Sequence, residues 1–375
     1  MIYQEFLTKI SQKTLGRSAT DAMIARDGKI TFKRFRKQRR RLNELKREFR
    51  CRSDQLKALQ RSCAAHMQTV ESPLVLISQL QRSGGTLLSQ LFDGHPEVHA
   101  HPHELKIGFP TKYVWPEFHL DEEPERWLQV LFEPVVLKHF KSGYKKQKNM
   151  DETFLFLFLP AVQKELFLRH LGELASVTQR DVFNAYMTSY FGAWLNNQNS
   201  AGQKKFIIAF TARLAMDESN VKSFFEIYPD GRLISIIRDP KNWYPSAARH
   251  KPSIYGNIRE SLQLWRENAE AMLRNKALYG ERVCVLTFED LILHTEAVMR
   301  FLADFLQIAF DDCLLIPSFN KFPIRANTSF KDQQAGIIES TLNRYKTLTQ
   351  EQLQIIADMT TGLYREVLKI CSKIS

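Results

Sequence analysis

Arg82-Ser83-Gly84-Gly85-Thr86 stands between an apolar run at residues 74–80 and an amphipathic pattern that starts at Thr86. Such a turn gathers a guanidinium, two hydroxyls and the first unpaired N–H groups of a helix, the donor set a phosphate or sulfate needs. The paired glycines let the backbone come close to the anion. The Gly-x-x-x-x-Gly-Lys-Ser/Thr spacing of a triphosphatase is missing, and no clear magnesium carboxylate accompanies the loop, so a nucleotide kinase is disfavoured. A second group of the same kind follows in GRLISIIRDPKNWYPSAARH: Arg238 ends the apolar run 233–237, and Ser246 comes eight residues later on the next helical pattern. An Arg at a strand end and a Ser on the following helix can grip one phosphate from two sides, at the edge where open α/β sheets bind ligands. Taken singly, each feature has a plainer use. The glycines would form a tight connection, Arg238 would pair with Asp239 or another acid, and Ser246 would be a small residue facing a neighbour.

Proton transfer needs a third kind of residue. The stretch VHAHPHELKIG supplies His101, His103 and Glu104 beyond the first helix. Glu104 is the first candidate for a general base toward an acceptor hydroxyl, and His103 the second. The alternative is a loop turned to solvent. No further Cys or carboxylate cluster stands near these histidines at metal-ligand spacing, so no metal is expected.

These residues require a frame. Residues 74–80, 205–210, 233–237 and 283–287 read as short buried strands, with helical patterns between them. Residues 86–94 read as a helix closed by Gly94. Residues 121–200 read as mostly helical, with an aromatic face of Phe183, Met187, Tyr190 and Trp194. Strand–helix alternation predicts an α/β protein with an open parallel sheet flanked by helices. The aromatic region would suit a lipid, a sugar ring or a phenol, or would simply be core.

The charge is uneven. The chain of 375 residues carries a net +12, and residues 1–70 hold 18 of its 53 Lys and Arg against 6 of its 41 Asp and Glu, so residues 71–375 balance to zero. This shift divides a basic helical N-terminal extension, 1–70, from a main domain, 71–375. Residues 31–63 lack Gly and Pro, and Phe35, Leu42, Phe49, Leu56 and Cys63 fall seven apart, with Leu45 and Leu59 at the partner position. A long basic amphipathic helix follows. It would dock on its own domain, contact an anionic surface or self-associate; Gln38 and Arg52 interrupt the second seam of a coiled coil. Nucleic acid is not expected, since only charge speaks for it. Five scattered cysteines without Cys-x-x-Cys spacing point to a reducing compartment. With no apolar run of about 18 residues and no signal-like start, an integral membrane segment is not expected and a cytoplasmic location is.

Together the two anion-binding elements resemble the sulfotransferases that use 3′-phosphoadenosine 5′-phosphosulfate. In that family an Arg/Lys-Ser-Gly-Thr-Thr loop holds the 5′-phosphosulfate, and a strand ending in Arg-Asp-Pro, with a Ser eight residues after the Arg, holds the 3′-phosphate. Here these stand as Arg82-Ser83-Gly84-Gly85-Thr86 and Arg238-Asp239-Pro240…Ser246. LLSQLFDGHPEV, VLTFEDLILH and RANTSF are similar to further family segments, so the resemblance covers roughly residues 72–370. It implies a P-loop-like sulfotransferase fold, with donor contacts from Arg82, Ser83, Gly84, Gly85, Thr86, Leu87, Arg238 and Ser246. It also implies a base at Glu104 or His103, no metal, and sulfuryl transfer to a small-molecule, carbohydrate or lipid acceptor. The nearest branch has Arg in the first loop and includes carbohydrate and tyrosyl-protein sulfotransferases. Two departures stand out. Gly85 replaces the first Thr of the loop, and Phe210 stands where a cation often assists the sulfuryl group, leaving Arg213 or Lys205 as substitutes. The second departure keeps open a non-catalytic member that binds an anionic partner through its basic helix.

Overall fold

In the computed structural model, residues 30–65, 69–107, 114–134, 136–138, 155–324, 337 and 339–372 are described. The chain divides into two units, Met1–His66 and Met67–Ser375. In the first, α1 (Ile30–Ala65) is a single 36-residue helix. Leu42, Leu45, Phe49 and Leu56 on its heptad seam are exposed. Arg52 pairs with Glu48 one turn away, at 2.7 Å. The side chains of Phe35, Leu59 and Cys63 lie outside the described residues.

The second unit begins with β1 (Leu74–Ile77), α2 (Gly85–Leu91) and β2 (Val98–Ala100), followed by helices α3 (Pro124–Leu131), α4 (Pro160–Gly172) and α5 (Gln179–Ala193). Then come β3 (Phe206–Phe210), α6 (Glu218–Ile227), β4 (Arg232–Ile237), α7 (Pro240–His250), α8 (Pro252–Tyr255), α9 (Ile258–Tyr279) and β5 (Val283–Thr287). Helices α10 (Phe288–Leu293) and α11 (Thr295–Leu306) precede a small hairpin, and α12 (Gln350–Ile370) closes the chain. The five main strands form one parallel sheet in the order β2-β3-β1-β4-β5. This is the open parallel α/β sheet the alternation predicts.

The apolar runs explain the sheet. All four residues of β1 and all five of β5 are buried, as expected of parallel strands covered on both faces. Register brings the carboxyl ends together: Ile77 lies opposite Phe210 on one side and Ile234 on the other. Ser78 N–H donates to Ile234 O at 3.0 Å and Thr211 N–H to Ile77 O at 2.9 Å, so the segments after β1, β3 and β4 leave from one edge. The predicted strand at 74–80 ends at Ile77 because the next residues turn away as the anion loop, and the predicted helix at 86–94 ends at Leu91. Gly94, with φ +82°, takes the left-handed turn beyond it. β2 carries no strand signal of its own, being only Val98, His99 and Ala100, yet its backbone pairs with β3 from Val98↔Phe206 to Ala100↔Ile208. In 121–200 the aromatic face is interior: Phe183, Met187, Tyr190 and Trp194 are all buried. Phe183 packs on Trp115 with ring centroids 4.9 Å apart. Helix α5 starts with a reciprocal Thr178–Asp181 capping box, a sequence-local signal for that boundary.

Candidate active site

The loop after β1 is held by its neighbours before any ligand is considered. Gln81 is its anchor: its carbonyl accepts from Trp243 Nε1 at 2.8 Å, and its Oε1 accepts from Arg213 Nε at 2.6 Å and Tyr255 OH at 2.8 Å. Arg82 has φ +70° and Gly84 φ +102°, so the chain passes through the left-handed region on either side of the buried Ser83. A Cβ at Gly84 would lie 2.6 Å from the Phe288 ring, which makes glycine obligatory there. Gly85 opens α2, and Thr86 and Leu87 complete its first turn, whose N–H groups have no intrahelical acceptor. Leu87 is half-buried against the sheet core.

Arg238 and the loop are physically joined. Arg238, one residue past β4 and buried, donates through Nη1 to Arg82 O at 2.9 Å and through Nη2 to Thr341 O at 2.7 Å. Its Nε is buried without a hydrogen-bond partner. The Arg-Asp-Pro wording has a local reason: Asp239 caps α7, accepting from Lys241 N–H at 2.9 Å, and Pro240 occupies the first turn, where no N–H is needed. Asp239 is therefore spent on the helix, and its charge acts on Arg238 only weakly, behind that of Glu289. Ser246 lies buried on α7.

The electrostatics fit an anion. Burial lowers the Arg238 pKa to about 10; Glu289 opposes that shift, while Arg82 and Arg344 add to it. Burial likewise lowers Arg82; Tyr255 opposes and Arg344 reinforces the shift. Three guanidiniums thus repel one another in one partly dehydrated place, which an oligoanion would relieve. The sequence reading missed Arg344; nothing local marks it, for it lies in a polar segment, Glu339–Thr347, that reaches the site through Thr341. RANTSF, residues 325–330, lies outside the described residues.

The base candidates sit on an edge segment. Leu105 N–H donates to Phe210 O at 2.8 Å, and Thr211 Oγ1 donates to Leu105 O at 3.0 Å, so residues 101–105 run beside the carboxyl end of β3. Glu104 is half-buried. His103 has one ring nitrogen, Nε2, 2.8 Å from Tyr190 OH and the other, Nδ1, 3.3 Å from Glu133 Oε2. His101 Nε2 is 3.0 Å from Glu133 Oε1. Glu133 also accepts from Tyr186 OH at 2.8 Å and from Lys106 N–H at 3.2 Å. Burial alone would raise the Glu133 carboxyl, but the imidazoles of His103 and His101, by charge and hydrogen bonding, hold it well below the usual carboxylate range. Sequence reasoning missed Glu133, thirty residues from its partners on a stretch with no motif. His101, His103 and Glu133 are also a group that could hold a metal ion. The expectation that no carboxylate joins these histidines is thus corrected by tertiary folding. Each carboxylate oxygen faces a different imidazole, which is how ion pairs divide a carboxylate between two partners.

The two departures touch each other. A Cβ on Gly85 would collide with Gln79 Nε2 and would lie 2.7 Å from Phe210 Cδ2. The Phe210 ring is buried and fills the space that a larger residue at 85 needs. Of the proposed substitute cations, Lys205 is corrected: it precedes β3, at the opposite edge, and pairs with Glu97 at 2.6 Å. Arg213 lies at the site edge, bonded to Gln81 and donating through Nη2 to Tyr255 OH at 2.6 Å.

A sheet with two cationic groups at its carboxyl edge, one on a Ser-Gly-Gly turn and one before a capped helix, defines a class of open α/β proteins whose strand ends suit an anionic ligand. A model of the sulfotransferase family matches residues 73–312, more than half of the chain, and the chain belongs to that family. Protein-tyrosine sulfotransferase A of Caenorhabditis elegans is 23% identical over 249 residues, covering 65% of this chain and 52% of that protein. The protein-tyrosine sulfotransferase of Drosophila melanogaster is 22% identical over 250 residues, covering 65% and 40%. The chain spans about half the length of the curated relatives it matches. Among solved structures, the sulfotransferase domain from the Curacin biosynthetic pathway aligns with TM-score 0.47 and 18% identity, covering 77% of this chain and 98% of that one.

Proposed function

We propose that this sulfotransferase moves the sulfuryl group of 3′-phosphoadenosine 5′-phosphosulfate to a hydroxyl or amine acceptor by in-line displacement. The observation that carries this is the bond from Arg238 Nη1 to Arg82 O, which joins the two anion-binding elements into one site rich in guanidinium charge. The donor supplies an activated sulfur. As the acceptor oxygen bonds to it, the bond from sulfur to the phosphate oxygen breaks, and the electron pair leaves with adenosine 3′,5′-bisphosphate. The chain's part is positioning and charge stabilisation. Arg82, Ser83 and the amides of Gly84, Gly85, Thr86 and Leu87 face the 5′ end; Arg238 and Ser246 hold the 3′-phosphate. Glu104 or His103 takes the acceptor proton. Arg213 is the candidate for the second cation. This charge stabilisation asks for no metal.

The acceptor is proposed to be a small molecule, carbohydrate or lipid. The curated relatives are protein-tyrosine sulfotransferases, so a phenol is a reasonable first probe. A basic extension at 1–70, a catalytic domain at 71–375 and an anionic contact along residues 31–63 are part of the same proposal. So is a cytoplasmic, reducing setting, supported by the unpaired Cys51, Cys284, Cys313 and Cys371. Among the described residues no helix is long and apolar enough to cross a membrane. Phe210 supports a second reading, a non-catalytic member that keeps the fold and binds an anionic partner through its basic N-terminal helix.

Calorimetry tests the proposal. The protein should bind adenosine 3′,5′-bisphosphate in EDTA and prefer it to magnesium ATP. Arg82→Ala should weaken that binding roughly ten- to a hundredfold, as expected for the loss of a charge-assisted contact. No binding by the wild type overturns the transfer reading; absence of transfer to any acceptor leaves the second.

A further inference from the structure

Gln79 is the residue that the anion-loop motif does not account for. It lies two positions past β1 and is 1% exposed, and both of its side-chain polar atoms are buried without a hydrogen-bond partner. A carboxamide kept dry and unpaired is rare in a folded interior and calls for an explanation. Its backbone is pinned: Arg213 N–H donates to Gln79 O at 3.0 Å, and the next residue, Leu80, donates through N–H to Asn268 Oδ1 at 2.8 Å. The side chain is therefore directed, and its Nε2 lies where a Cβ on Gly85 would stand. Phe210 walls the same spot with carbon. A side chain at 85 and a cation at 210 are thus both replaced here by one neutral amide against an apolar ring.

We propose that the Gln79 carboxamide donates a hydrogen bond to an oxygen of the sulfuryl group during transfer. This makes Gln79 a further catalytic residue of the site. The proposal rests on the sulfuryl-transfer reading above. As sulfur passes from the phosphate oxygen to the acceptor oxygen, its own oxygens carry the negative charge. A fixed N–H beside an apolar wall acts on them with little screening. Gly85 leaves the amide room to reach the loop, and Phe210 excludes water from it.

The test uses the full chain with Gln79→Met, which keeps the volume and removes both polar atoms, and Gln79→Glu, which keeps the shape and removes the donor. Two quantities are read: the affinity for 3′-phosphoadenosine 5′-phosphosulfate relative to adenosine 3′,5′-bisphosphate, and the rate of sulfuryl transfer from labelled donor to water. The bisphosphate has no sulfuryl group, so its affinity should stay within about threefold of wild type. The affinity ratio or the transfer rate should fall about tenfold or more, the scale of one lost donor to a developing anion. The ligand-free melting temperature of Gln79→Met should hold or rise, because an unpaired buried amide has been replaced by carbon. Unchanged ratio and rate in both variants overturn the proposal. So does a parallel loss of bisphosphate affinity and melting temperature, which would make Gln79 a strut of the loop. Failure of the wild type to bind the bisphosphate would instead remove the transfer reading itself.

Discussion

At the scale of single residues, the base and the buried acid near Arg238 are the points to probe. His103 is held on both nitrogens, by Tyr190 and beside Glu133, whereas Glu104 has no such cage described around it. Glu104→Gln should leave bisphosphate affinity unchanged and lower the chemical rate roughly 10²–10⁴-fold if it is the base. His103→Gln, made in parallel, decides between them under single-turnover conditions; full activity in both would place the base elsewhere. Glu289 gives a pH prediction. Burial raises its carboxyl from 4.5 to about 7, against the pull of Arg238. A group whose folded pKa exceeds its unfolded value binds more protons in the native state. Its contribution is then complete below about 4.5 and lost as pH rises through 7. Stability should decline across that window by up to roughly 3 kcal/mol from this carboxyl. Glu289→Gln should flatten the decline in urea titrations; an unaltered pH slope would show that Glu289 is not raised.

At the scale of elements, the turn from β1 into α2 is where packing overrides donor count. The loop gives up a side chain at 85 because Phe210 on β3 and Gln79 after β1 occupy its space. Gly85→Ala should therefore cost about 1–3 kcal/mol, as overpacking does. The cost should shrink in a Phe210→Leu background, and a double-mutant cycle should return a coupling of about 0.5–3 kcal/mol. Additive effects would mean that the two positions do not share one space. Gly84→Ala carries a backbone penalty as well, from φ +102° and the Phe288 ring, so it should lower the melting temperature more than Gly85→Ala does.

At the scale of the whole molecule, the charge is divided. All of the net +12 falls within residues 1–70, and the proposed donor-binding groups lie on a stretch whose charges balance. Within α1 the apolar seam at Leu42, Leu45, Phe49 and Leu56 is exposed among arginines and lysines, the composition of a helix suited to an anionic interface. Reversing Arg39, Arg40 and Arg41 to Glu should abolish salt-sensitive binding to phosphatidylserine vesicles while leaving bisphosphate affinity within a few-fold. The salt dependence follows from screening over about 8 Å at physiological ionic strength. Vesicle binding equal to wild type would reduce the basic face to a solvated surface.

Local chemistry is what could be read without coordinates. Residues 74–77, 206–210, 232–237 and 283–287 announce themselves as strands because buried parallel strands need unbroken apolar side chains. The anion loop and Arg238-Asp239-Pro240 announce themselves because turns and caps are made by residues adjacent in the chain. β2 escaped notice because its pairing is a property of its neighbour β3, not of its own three-residue sequence. Glu133 joined His101 and His103 only when the segment after α3 came to lie beside the segment after β2, and Arg344 reached Arg82 and Arg238 only through the C-terminal segment. The same holds for Gly85. Its sequence says only that a hydroxyl is missing, whereas contact with Phe210 and Gln79, brought in from β3 and the end of β1, says why no side chain fits. Sequence determines what each short segment is able to do by itself. Which distant groups share a buried volume, and so whose pKa, packing and orphaned donors are coupled, is decided by the tertiary structure, because dehydration and close contact depend on distance in space and not on distance along the chain.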